Sequence, residues 1–123
     1  MSEEPFVSDH TDIHSTAADT VAGTVMLVNI FTPKPGQAEA FAEAQTAEYL
    51  RLKGKISGWI GNRLGKSVDG HTFVNVAAFE SLDTYKSWRE SEAFSVHLEV
   101  IRPYVKDASP GMYEIIYSAG SIP

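Results

Sequence analysis

Apolar side chains are scattered over residues 1–22 and then arrive in blocks whose spacing changes from one block to the next. Residues 24–32, TVMLVNIFT, are β-branched and aromatic and run into Pro33, Pro35 and Gly36, which predicts a first strand. In the following QAEAFAEAQTAEYLRLKGK, Ala38, Phe41, Ala44 or Gln45, Glu48 or Tyr49, and Leu52 fall on one helical face, so a first helix should run to a stop near Gly54. GWIGNRLGKS and DGHTFVNVAAF read as two strands joined at Val68-Asp69-Gly70, because Asp-Gly tolerates the positive φ that a tight hairpin needs. The stretch ESLDTYKSWRESEAFSVHLEVIRPYV opens on Ser81, a helix-capping residue, and carries Leu82, Tyr85 and Trp88 on one stripe. Phe94, His97 or Leu98, and Ile101 form a second stripe out of phase with the first, which predicts a kink near Glu90-Ser91. GMYEIIYSA, with Gly120 behind it, alternates again and predicts a last strand.

The order β-α-β-β-α-β is that of an α+β, ferredoxin-like domain, a four-stranded antiparallel sheet with its helices on one face. Each strand nevertheless carries apolar residues at both parities, Val25, Leu27 and Phe31 against Met26, Val28 and Ile30 in the first. A bare apolar sheet face is rarely left in water, so a homodimer that stacks two open faces is expected. The whole chain of 123 residues has room for one domain, placed at residues 23–120 behind a flexible arm at 1–22.

Composition narrows the chemistry. There is no cysteine, which removes disulfides, thiolate nucleophiles and thiolate-bound metal together. The formal charge of −6 opposes a phosphate backbone, so nucleic acid is not an expected partner. The N-terminal residues have neither the basic start nor the apolar run of a signal peptide, and no stretch is long and apolar enough for a membrane span, which reads as a cytoplasmic protein with no membrane partner. His10 and His14 have the i, i+4 spacing of a metal pair on a poor helix former with no third ligand, so a solvated tail is expected and no metal site is assigned.

The strings VNIFTPKPGQAEAFAEA, ISGWIGNRL and DGHTFVNVAAFESLDTYKSWRESEAF, in this order and at these intervals, resemble the antibiotic biosynthesis monooxygenase family over about residues 25–118. The resemblance implies a dimeric α+β barrel, each protomer holding a pocket between its helices and the sheet. The family includes quinone-forming oxygenases of aromatic polyketides, quinol oxygenases and haem-degrading enzymes. Its oxygenases need no metal, flavin or haem, so no cofactor is expected.

Asn29 is the first candidate: a carboxamide inside an apolar strand must hydrogen-bond something, either a neighbouring backbone group, a partner across the dimer seam, or a phenolic oxygen in a pocket. It falls where pocket asparagines occur in the family. Trp88 matches the tryptophan that lines the pocket of the haem-degrading branch, and at helical spacing it also reads as core. His97, one turn after Phe94, is either a general base or a half-exposed helix histidine. The axial histidine of the haem-degrading branch falls at Leu98, and one residue is about 100° of helix rotation, so His97 does not inherit the ligand role. Arg63 is a candidate for stabilising a substrate anion. Trp59, Asn62, Phe73, Asn75, Tyr85, Phe94 and Tyr113 are possible pocket walls, strand parity deciding; His71, beside the hairpin turn, is a surface residue.

Together these readings point to a monooxygenase that oxidises a small electron-rich aromatic, an anthrone, hydroquinone or polyketide-like phenol, with molecular oxygen. Asn29, His97 and Arg63 are its expected catalytic groups, and Trp88, Trp59, Phe94, Tyr85, Phe73 and Asn75 its substrate-binding ones. A cyclase or isomerase acting on a related substrate, and a dimeric protein that binds such a ligand without chemistry, are the alternatives.

Overall fold

A computed structural model describes residues 23–121; the arm at 1–22, with His10 and His14, lies outside the described residues. Strand β1 (Val25–Pro33) leads to helix α1 (Ala38–Leu52), the hairpin β2 (Trp59–Lys66) and β3 (Phe73–Phe79), helices α2 (Leu82–Arg89) and α3 (Glu92–Ile101), a 3-10 turn (Arg102–Tyr104) and strand β4 (Val105–Glu114). The strands pair antiparallel in the order β2-β3-β1-β4, with the two edge strands coming from the hairpin and the C-terminal end. This is the ferredoxin-like arrangement, with the expected second helix present as two. Among the described residues no helix is long and apolar enough to cross a membrane.

The hairpin closes at the expected place, through residues 67–72, with only the glycine of the Asp-Gly pair at positive φ. Gly70 takes φ +81°, and the Asp69 carboxylate accepts from the Ser67 hydroxyl at 2.7 Å and the His71 backbone N–H at 3.0 Å. Helix α1 ends at Leu52, and Gly54 supplies the left-handed φ of +78° that turns the chain away. The kink expected near Glu90-Ser91 is a full break. Ser91 donates its hydroxyl to the Trp88 carbonyl at 2.6 Å and accepts from the Phe94 N–H at 3.2 Å, ending one helix and capping the next. That break resets the helical phase, which is why two apolar stripes that do not share a period face the same sheet.

The last strand differs from its expected position. It begins at Val105 and ends at Glu114, so the polar run KDASP is inside it and IIYSA is outside. Register explains the shift: β4 must lie along β1 from Pro33 back to Val25, and that pairing overrides local propensity. Pro110, opposite Asn29, is tolerated because β4 is an edge strand and a missing N–H there breaks no ladder on its outer side.

Two apolar clusters close the space between helices and sheet. Phe31, Phe41, Phe73 and Ile101 form one, with Phe41 fully buried and its ring 5.1 Å from Phe31 and 5.2 Å from Phe73. Val25, Ala77, Phe79 and Tyr85 form the other, with Phe79 and Tyr85 edge to face at 5.3 Å. Gly58, at φ +81°, fixes the start of β2 against α2: its carbonyl accepts from the Glu80 N–H at 2.7 Å, and a Cβ there would meet the Thr84 side chain at 2.5 Å.

Candidate active site

A cavity of about 260 Å³ lies between the helix layer and the covered face of the sheet. Strand alternation sends Leu27, Asn29 and Phe31 of β1 and Asn75, Ala77 and Phe79 of β3 toward it. Strand β2 does not follow simple alternation. Trp59 pairs with Phe79 and Gly61 with Ala78, so Ile60 is an extra residue in a bulge. Beyond it the facing is reversed: Asn62, opposite Ala77, lines the cavity with Trp59, while Arg63, opposite Val76, stands on the other face.

The bulge thereby completes a row of carboxamides across three neighbouring strands. Asn29 and Asn75 are direct register partners, and the Asn62 amide donates to the Asn75 Oδ1 at 3.1 Å. The oxygens of Asn29 and Gln45 are buried with no hydrogen-bond partner among the described residues, the Tyr49 hydroxyl is buried beside Gln45, and all three residues belong to the cavity wall. An unmade hydrogen bond of this kind costs about 1–3 kcal/mol, so buried polar atoms grouped in one wall are not what packing alone would select. Burial pushes the Tyr49 phenol above its ordinary range, so it is a neutral hydroxyl.

The helices supply the aromatic walls and one titratable ring. Trp88 and Phe94 meet edge to face at 5.4 Å across the break between α2 and α3, and each ring centre lies 6.3 Å from that of His97. His97 is buried in the wall, with Nδ1 3.0 Å from Glu48 Oε1. Glu48 is buried too, and the guanidinium of Arg51 takes both its oxygens, at 3.0 and 2.7 Å. The Arg51 contact, helped by the bond to His97, holds the Glu48 carboxyl below its ordinary value against the opposing effect of burial.

The structure therefore brings Asn29, Asn75, Trp59, Trp88, Phe94 and His97 to one cavity and leaves three expected site residues elsewhere. Arg63 is turned to the opposite face by the bulge. Phe73 sits in the Phe41 cluster, and Tyr85 packs on Phe79 with its hydroxyl accepting from Arg89 at 3.2 Å. Gln45, Glu48 and Tyr49 were not singled out as site residues by sequence reasoning. The available signal was the inward face of α1, where Gln45 and Glu48 stand between Phe41 and Leu52 and where burial of polar groups demands a reason.

The sequence profile of a family described as "Antibiotic biosynthesis monooxygenase" matches residues 24–100, more than half of the chain. The chain belongs to the antibiotic biosynthesis monooxygenase family. No curated protein matches it significantly in sequence. Among solved structures, SnoaB from Streptomyces nogalater, a cofactor-independent oxygenase, is similar at 21% identity over 83% of this chain and 99% of its own, with a TM-score of 0.60. Rv0793 from Mycobacterium tuberculosis matches at 16% identity over 79% and 99%, TM-score 0.68. A dimeric protein of unknown function and ferredoxin-like fold from Bacteroides fragilis matches at 14% over 77% and 99%, TM-score 0.66. At these identities the likeness establishes the fold of the family in this chain.

Proposed function

We propose that this family member is a monooxygenase that oxidises a small electron-rich aromatic, such as an anthrone or a hydroquinone, with molecular oxygen and without a cofactor. The observation that carries the reading is the row of carboxamides from Asn29 through Asn75 to Asn62, set in a cavity walled by Trp59, Trp88 and Phe94 with His97 beside it. Flat aromatic walls hold a planar ring, and amides hydrogen-bond its oxygen substituents. At about 260 Å³ the cavity is near the lower end of small-molecule pockets, roughly 300–1,000 Å³, which limits the substrate to one small fused-ring system.

The chemistry needs only what such a site supplies. His97 takes a proton from the substrate, leaving an anion rich enough in electrons to reduce oxygen, and the amides stabilise that anion. For an anthrone, one oxygen atom becomes the new carbonyl oxygen, and the other leaves as water with the two hydrogens of the oxidised carbon. The family assignment and the cofactor-independent oxygenase activity of SnoaB support the same reading. We further place the working unit as a homodimer. The open sheet face presents Met26, Val28, Ile30, Val74 and Val76, a surface that a second copy would remove from water.

The test is oxygen uptake by metal-free protein given anthrones, naphthols and hydroquinones, with Asn29→Ala and Trp88→Ala alongside. Uptake above autoxidation that falls at least about tenfold in both variants is the expected result. No uptake across the panel would sink the oxygenase reading and favour a cyclase or a binding protein.

A further inference from the structure

One buried charge stands just behind the cavity wall. The Glu48 side chain is only 7% exposed, on the inward face of α1, and it reaches His97 on α3. A surface Glu-Arg pair one helical turn apart needs neither burial nor a histidine, and burying a carboxylate costs several kcal/mol unless charge and hydrogen bonds meet it. Here they do. Arg51 donates from Nε to Oε2 and from Nη2 to Oε1, and His97 Nδ1 lies 3.0 Å from that same Oε1.

The chemistry of the contact fixes the ring. An ionised carboxylate only accepts hydrogen bonds, so the nitrogen facing it carries the hydrogen, and in a neutral imidazole the lone pair is then on Nε2. With Arg51 occupying both its oxygens, Glu48 is a poor place for the imidazole proton to go. The rings of Trp88 and Phe94, inclined 43° and 45° to the imidazole, lie together on one side of it with their centres 6.3 Å away.

We propose that Glu48 is the positioning residue for His97: it holds the tautomer with hydrogen on Nδ1, leaves Nε2 as the basic nitrogen in the cavity wall, and balances the imidazolium formed on proton uptake. The inference rests on the reading of His97 as the base. In that step the substrate's bond to hydrogen breaks, its electron pair stays on the substrate, and an Nε2–H bond forms; no oxidant is consumed until oxygen reacts with the anion.

Nitrogen-15 NMR of labelled histidine reads the tautomer without any substrate. The expected spectrum shows His97 with hydrogen on Nδ1 and a bare Nε2 in the wild type. In Glu48→Gln, whose amide can either donate or accept at Nδ1, both tautomers should appear. Turnover should fall roughly 10- to 100-fold through kcat with KM little changed, and Glu48→Asp should recover part of the loss. Hydrogen on Nε2 in the wild type, or a Gln variant that keeps both tautomer and kcat, overturns the proposal. A changed tautomer with unchanged kcat overturns the assignment of His97 as base while the contact stands, so the spectrum tells the two failures apart.

Discussion

The two faces of the sheet share the same strands, yet carboxamides are distributed between them very differently. On the covered face, Asn29, Asn62 and Asn75 interrupt the aliphatic and aromatic residues. On the open face, the neighbouring positions of the two central strands, Val28, Ile30, Val74 and Val76, carry no carboxamide. A face that only had to seal against another protein layer gains nothing from buried amides, whose unmet hydrogen bonds work against folding. Their concentration on one side is what the proposed pocket asks of the covered face, and their absence opposite is what the proposed seam asks of the open one.

That contrast can be broken most forcefully at Val28. If the open face is the proposed dimer seam, a carboxylate placed there by Val28→Asp would be buried on association at a cost of about 3–5 kcal/mol, so sedimentation should show monomers with the circular dichroism of the wild type. A variant that stays dimeric would mean that the open face is not the seam. A smaller effect is expected one layer away. Asn75→Ala leaves the Asn62 amide without its acceptor, which should lower unfolding stability by about 1–3 kcal/mol and depress oxygen uptake. Its neighbour Val76→Ala, on the open face, should spare turnover per folded protomer. Equal losses from the two would erase the distinction between the faces.

The subtlest effect is in pH. Glu48 titrates below its ordinary value of 4.5 in the folded protein, so folding favours its charged form. That contribution is complete above the unfolded value and fades as pH falls through the lowered folded one. The Glu48 contribution to the difference in unfolding free energy between the wild type and Glu48→Gln, followed in urea, should therefore be lost as pH falls below about 4.5. A difference that does not shrink as pH falls below about 4.5 would mean that folding does not favour the charged form of Glu48.

Much of this was legible in the chain itself. The β-branched run before Pro33, the Asp69-Gly70 turn and the Ser81 cap each have a local cause, and each produced the element it predicts. Asn29 stood out because a carboxamide among Val28, Ile30 and Phe31 breaks the pattern. What escaped depends on contacts distant in sequence. The start of β4 at Val105 is set by register with β1, not by the propensities of KDASP. Glu48 and His97 are 49 residues apart, and neither residue's neighbours hint at the other. Which face Arg63 takes was not legible, because parity along β2 depends on a residue that the partner strand does not match.

That unmatched residue, Ile60, has a consequence for how such a protein can change. The ladder on either side of it is already in frame, Trp59 with Phe79 and Gly61 with Ala78. Loss of Ile60 would straighten the strand and leave every downstream side chain facing as it does now. A gain or loss of one residue anywhere from Asn62 to Leu64 would instead transpose inside and outside for the rest of the strand. Length variation in this edge strand thus preserves facing at one point and reverses it a few ångströms further on, and the cavity-facing surface can persist through a change in gene length that would ordinarily scramble it.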